Sequence, residues 1–222
     1  MHTQPTKAIS IAKNITGQES KMQRYYAFHA LIYDATRWSF LFGRKHLIDS
    51  LPLDKHSQRL VMEIGCGTGY NLQRIARRYP QANLLGLDTA SPMIAEARKK
   101  LAPLKTRAKL LHTPYRTDHN LALPHPPQVI LFSYSLTMIN PQWQELLAQA
   151  YRDLAPGGYI AVVDFHETPS QWFRVWMQRN HVRMESHLLP YLTAHFDTVH
   201  AEVRPAYGGL WQYFSYIGQK NA

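Results

Sequence analysis

The chain has few covalent or metallic braces. It holds one cysteine, Cys66, in 222 residues, so it forms no disulfide within itself, and that usage suits a reducing cytoplasm. No apolar run approaches the ~18 residues of a membrane-crossing helix. The opening Met-His-Thr-Gln-Pro is too polar for a secretion signal. The 12 histidines show neither an H-E-x-x-H nor a Cys/His spacing, and no metal is expected. Acidic residues are scarce: 15 of them face 25 Lys and Arg, for a net charge of +10. Such an excess favours a polyanionic partner, nucleic acid or an anionic membrane surface, without choosing between them. No internal repeat or low-complexity linker divides the chain, and its length fits one α/β domain with a sizeable core.

What is present is concentrated at residues 60–71, Leu-Val-Met-Glu-Ile-Gly-Cys-Gly-Thr-Gly-Tyr-Asn. The apolar run Leu60, Val61, Met62, Ile64 reads as a buried strand that breaks at Gly65, and a helical pattern starts near Tyr70. Glycines at 65, 67 and 69 let the backbone turn sharply and approach a ligand, because no Cβ intervenes. The following helix aims its free N–H groups over the loop. The dinucleotide fingerprint wants Gly or Ala three residues after its second glycine, and Tyr70 stands there. Glu63 precedes the first glycine, and a carboxylate near the end of a buried strand needs a cation or donors. Cys66 reads as a small filler of this loop rather than a nucleophile. Asn83 to Asp88 reads as a second strand ending in a carboxylate, 19 residues beyond Gly69, placed to accept both hydroxyls of a ribose.

Glu63-x-Gly65-x-Gly67-x-Gly69 resembles motif I of the class I S-adenosylmethionine (AdoMet) methyltransferases, and Leu154-Ala155-Pro156-Gly157-Gly158 before an apolar run resembles a later feature of that family. The resemblance implies a Rossmann-like α/β fold with a seven-stranded, mostly parallel sheet, an antiparallel C-terminal edge and an N-terminal helical lid. It also implies AdoMet as methyl donor, held by Glu63, Gly65, Cys66, Gly67, Gly69, Asp88, Thr89, Met93 and Ser133. Many family members carry an acid after strand three to bind adenine. This chain has His112-Thr113-Pro114-Tyr115 there, so the adenine contact stays unassigned.

In chain order, residues 1–18 read as a flexible basic arm, and 19–222 as the methyltransferase domain, with a lid over 19–50. Strands are expected at 59–64, 83–87, 107–112, 129–132 and 159–165, with a final pair at about 197–204 and 210–217. Helices are expected at about 69–79, 91–100 and 143–153, with one long helical, aromatic stretch from Ser170 to Phe196. The Pro- and His-rich stretch 116–127 reads as irregular. The exit of strand four, Ser133 to Ile139, lacks the Asn/Asp-Pro-Pro-Tyr/Phe of nucleic-acid amino methyltransferases, which argues against nucleic acid as acceptor.

His29 to Arg44 looks like the N-terminal signature of the betaine-lipid N-methyltransferases, which convert diacylglyceryl-homoserine to its trimethylated form. Phe132 to Ile139, Val163-Asp164-Phe165 and His187 to Leu192 look like that family too. The resemblance implies a cytoplasmic, peripherally membrane-associated enzyme acting on a lipid at an anionic surface, with a separate aminocarboxypropyl transferase supplying the substrate. Arg179 to Val182 and Tyr207 to Trp211 depart from the pattern. Tyr33, Asp34, Tyr134, Asp164 and His166 are the candidates near the reacting methyl. Tyr33 and Tyr134 could hold a trimethylammonium by cation–π attraction, or simply be core aromatics. The alternatives are a phosphatidylethanolamine N-methyltransferase, a small-molecule or quinone methyltransferase, and a non-catalytic AdoMet-fold binder.

Overall fold

The computed structural model describes residues 40–116, 121, 123, 125–139 and 142–221. Its elements are α1 (Arg44–Asp49), β1 (Leu60–Ile64), α2 (Tyr70–Arg78), β2 (Asn83–Asp88), α3 (Ser91–Leu101), β3 (Ala108–His112), β4 (Val129–Ser133), α4 (Trp143–Asp153), β5 (Tyr159–Phe165), α5 (Gln171–Arg179), α6 (Leu188–His195), β6 (Asp197–Ala206) and β7 (Trp211–Gln219). They form a seven-stranded sheet in the order β3-β2-β1-β4-β5-β7-β6. The first five strands in this order pair in parallel, and β7 pairs antiparallel with β5 and β6. The expected seven-stranded, mostly parallel sheet with its antiparallel C-terminal strands is therefore the observed one. The arm and the lid up to residue 39, with Tyr33 and Asp34, lie outside the described residues.

Alternation along each strand builds a core on both faces, as a helix-covered parallel sheet requires. Val61, Leu131, Ala161 and Val163 pack in one cluster with Leu47, Ile48, Leu72 and Ile75 of α1 and α2. Met62, Ile130, Phe132, Ile160 and Val162 pack in the other with Leu146 and Leu147 of α4 and Leu188 and Leu192 of α6. Strand order reverses between β1 and β4, and ligands of open α/β sheets bind at the carboxyl ends of the strands at that switch.

The expected single helical stretch 170–196 is two helices. α5 ends at Arg179 because His181 adopts a left-handed conformation, φ 62°. His181 N–H then donates to Gln178 O at 3.0 Å and Val182 N–H to Met177 O at 3.0 Å, which closes the last turn. The usual signal for such a stop is glycine, and histidine stands in its place. α6 begins at Leu188 and tolerates Pro190 in its first turn.

Candidate active site

A cavity of about 320 Å³ opens at the switch point. Its wall includes Ile64, Gly65 and Gly67 from the end of β1, Asp88, Thr89 and Ala90 from the end of β2, and Ser133 to Ser135 from the end of β4. Met93 of α3, Thr113 to Tyr115 after β3, and Met138, Ile139 and Leu146 complete it. Of the residues that the resemblance assigned to the cofactor, Gly65, Gly67, Asp88, Thr89, Met93 and Ser133 line this cavity, whereas Glu63, Cys66 and Gly69 stand behind it.

The glycine loop works through its backbone. Gly67 has φ +52°, and a Cβ built there would meet nothing within 4 Å, so a side chain at 67 would enter the open cleft. Gly69 caps α2 in the left-handed region, φ +75°, and turns the helix N-terminus toward the loop. Cys66 is buried, and its sulfur lies 2.8 Å from where a Cβ of Gly86 would sit; it fills the gap under the loop, and burial raises its thiol pKa. Asp88 ties the two walls together: one carboxylate oxygen accepts from Gly67 N–H and the other from Ala90 N–H, both at 2.8 Å. Each oxygen keeps a further lone pair for a ligand hydroxyl.

Glu63 is fully enclosed. Its Oε1 accepts from Asn71 Nδ2 at 2.7 Å, and its Oε2 has no hydrogen bond among the described residues. Burial pushes its pKa up to about 8, opposed by Asn71 and by the nearby Arg44. An orphaned buried acceptor calls for a donor or a cation. Ser133 Oγ, on the cavity wall, is orphaned likewise. An ammonium-bearing nucleoside fits this set. Ser133 Oγ on the wall and Glu63 Oε2 behind it could accept from the amino-acid end, the open loop at Gly67 could admit the middle, and Asp88 has lone pairs for a ribose.

The candidates for the acceptor side are arranged differently. Asp164 is wholly buried and spent inside the protein. Its oxygens accept from Leu136 N–H at 2.9 Å, Thr137 N–H at 3.3 Å, Thr137 Oγ1 at 2.5 Å and Phe165 N–H at 2.9 Å. Those bonds hold the turn Leu136–Met138, from which Met138 reaches the cavity. Burial lifts its pKa to about 6 in spite of them. Tyr134 stands on the cavity wall, but its side chain is fully buried: the ring packs edge-on against Phe165 at 4.7 Å and the hydroxyl donates to Phe42 O at 2.9 Å. Its backbone sits at φ 55°, a costly setting for a tyrosine. His166 follows β5; its Nδ1 is buried without a partner among the described residues, and burial lowers its pKa, so the ring is neutral near pH 7.

Sequence reading gave no site role to Ile64, Leu87, Ala90 and Leu146 on the wall, and reached Thr113 to Tyr115, Ser135, Met138 and Ile139 only as stretches after β3 and β4 without assigning them individually. Position after β3 could have flagged Thr113 to Tyr115, but Leu146 looks like any core position of a helix. Tyr115 is fixed from outside by donating to Asp153 Oδ2 at 2.6 Å.

Residues 61–158 match the family model of a methyltransferase domain. Trans-aconitate 2-methyltransferase of Methylobacterium nodulans is 36% identical over 102 residues, 46% of this chain and 36% of that protein. Demethylmenaquinone methyltransferase of Thermus thermophilus is 31% identical over 159 residues, 66% of this chain and 69% of that protein. The fold also superposes, with a TM-score of 0.66 and 14% identity, on 1,6-didemethyltoxoflavin-N1-methyltransferase of Burkholderia thailandensis solved with its substrate and S-adenosylhomocysteine, covering 93% of this chain and 90% of that one. The chain belongs to the class I AdoMet-dependent methyltransferases. It is a methyltransferase with AdoMet as methyl donor; none of these three relatives carries a betaine-lipid activity in its name.

Proposed function

We propose that the chain methylates a small organic acceptor with a flat, uncharged body, of the quinol or phenol kind. The observation that carries this reading is the cavity wall. Among the described residues that line it, Asp88 is the only charged one; the rest are apolar, aromatic, amide-backbone or hydroxyl groups. Among the described residues, a polycarboxylate would find no basic side chain on this wall to pair with. A flat neutral ring needs no such partner and would lie against Met138 and Ile139. The relative that aligns over 66% of this chain carries the name demethylmenaquinone methyltransferase, which supports the same direction.

AdoMet supplies a methyl group already activated by its sulfonium. The protein's part is to hold the acceptor in line and to exclude water, and much of the rate can come from that positioning. The turn Leu136–Met138, pinned by Asp164, sets where the acceptor lies. His166 is not among the described residues that line the cavity, so no proton-transfer role follows for it.

One observation favours the lipid reading as a second. Trp172 and Trp176 of α5 are 67% and 48% exposed beside Phe40, Tyr207 and Leu210. This aromatic surface lies at the end of the sheet where β5 stops and β7 begins, the same end that carries the cavity. Aromatic side chains at a basic surface suit a membrane–water interface, where an amine-bearing lipid would present its head group. No helix among the described residues is long and apolar enough to cross a membrane.

The deciding assay mixes purified chain and methyl-labelled AdoMet with a short-chain naphthoquinol, trans-aconitate, or micelles of diacylglyceryl-homoserine or phosphatidylethanolamine. Label in the quinol is the expected result. Label in a lipid amine would establish the second reading, and label in trans-aconitate would overturn the argument from the uncharged wall.

A further inference from the structure

Away from the cavity, folding gathers three side chains that lie far apart in the sequence. His46 is on α1, and His200 and Glu202 are on β6. One donor atom of each lies within 4.8 Å of the others. Local structure explains the meeting. Residues two apart on a strand share a face, so His200 and Glu202 point together, and Ser215 of β7, paired with Glu202, points with them. A register shift between Thr198 and His200 re-aims the strand there. α1 covers that same face: a Cβ on Gly43, at its start, would touch Tyr213 at 2.6 Å and Val163 at 3.2 Å. The rings of His46 and His200 stand 5.8 Å apart at 66°.

We propose that His46, His200 and Glu202 bind one divalent cation of the zinc class, which clips α1 to the outer strand of the sheet. Two imidazoles and a carboxylate suit Zn²⁺ and the nitrogen-preferring first-row ions, whereas Mg²⁺ and Ca²⁺ prefer all-oxygen sites. A tetrahedral ion with bonds of about 2.0–2.1 Å needs its donors about 3.4 Å apart. Side-chain rotations of about an ångström bring the cluster to that spacing, and His46 is exposed and free to make them. The supporting contacts are already present. His200 Nε2 lies 3.1 Å from Ser215 Oγ, a buried hydroxyl, which orients the ring and leaves Nδ1 for the ion. Arg204 Nε holds one oxygen of Glu202 at 2.6 Å and leaves the carboxylate its other lone pairs. The positive arginine also weakens the site, so micromolar rather than nanomolar affinity is expected.

The clip would bear on the cofactor loop from behind. α1 begins at Arg44, whose guanidinium lies 4.5 Å from the centre of the Tyr70 ring at the start of α2 and lowers the pKa of Glu63. The ion takes no part in methyl transfer; its effect is to hold α1 in place.

The test uses the full chain, free of affinity tags and dialysed against EDTA, titrated with ZnCl₂ alone in a calorimeter. One site per chain is expected, with a thermal midpoint raised by about 5–10 °C when zinc exceeds its Kd a hundredfold. His46→Ala and His200→Ala should each weaken binding at least tenfold, and His56→Ala, on an exposed turn, should not. Co²⁺ should give a visible absorption of tetrahedral intensity that both site variants lose. If His200→Ala lowers the midpoint in EDTA, the exposed His46→Ala decides alone. Absence of binding, binding that survives the His46 and His200 substitutions, or an equal shift with MgCl₂ would each overturn the proposal.

Discussion

Asp88 and Asp164 both stand at the carboxyl end of a parallel strand, and their surroundings set them to different work. Asp88 bridges two backbone N–H groups across the cavity and keeps lone pairs facing it. Asp164 accepts four hydrogen bonds inside the protein and shows the cavity nothing. The same contrast separates the two halves of the site. On the cofactor half, polar atoms of Glu63 and Ser133 are left without partners. On the acceptor half, the Tyr134 hydroxyl and the Asp164 carboxylate are both satisfied before any substrate arrives. The first half is built to bind a polar, charged molecule. The second is built to be rigid and uncharged.

Substitutions should separate these roles, and the largest effect is expected at Asp164. Asp164→Ala takes the acceptor from three backbone N–H groups and the Thr137 hydroxyl in a buried place, and should cost about 3 kcal/mol or more of stability by thermal denaturation. Asp88→Ala should lower AdoMet affinity about a hundredfold in calorimetry, from two lost charged hydrogen bonds of about 1.5 kcal/mol each, with a smaller loss of stability. Equal destabilisation by both would erase the contrast.

Glu63 gives a pH-dependent prediction. The folded chain keeps its proton up to about pH 8, whereas the unfolded chain releases it near 4.5. Between those values the folded state holds the extra proton, so this group's contribution to stability falls as pH rises and levels off above about 8. Glu63→Gln should flatten that slope in denaturation curves. AdoMet binding should run the opposite way: an ammonium pairs with the ionised carboxylate, so affinity should improve from pH 6 toward 8 in the native chain and not in the variant. The smallest effect is expected at Tyr134→Phe. It removes one hydrogen bond, worth about 1 kcal/mol, and keeps the ring, so methyl transfer should persist, whereas Tyr134→Ala should abolish it.

The sheet and the cofactor half were legible because their signals are local. An apolar strand, G-x-G-x-G and an acid at the tip of the next strand are contiguous patterns with one geometric meaning. The acceptor half was less legible. Asp164 at a strand exit looks catalytic in sequence, and only the fold shows that Thr137 and the N–H groups of Leu136 and Phe165 have claimed it. Leu146 and Met138 reach the cavity from a helix and a turn with no pattern of their own. The split of 170–196 was hidden because His181 takes the left-handed role that sequence reading assigns to glycine. His46, His200 and Glu202 meet only because β6 folds back beside β7 and under α1.

The central claim is that AdoMet lies in the cleft bounded by Gly67 and Asp88. The most direct measurement is a calorimetric titration of S-adenosylhomocysteine into the native chain and into Gly67→Val. A Cβ at 67 meets open space, so the variant's cost is the backbone strain of a β-branched residue at φ +52°, about 1–3 kcal/mol, which lowers its thermal midpoint by several degrees but leaves it folded, while its side chain blocks the cleft. The account expects one site per native chain and at least a hundredfold weaker binding in the variant. Native affinity in a folded Gly67→Val would place the cofactor elsewhere and contradict it.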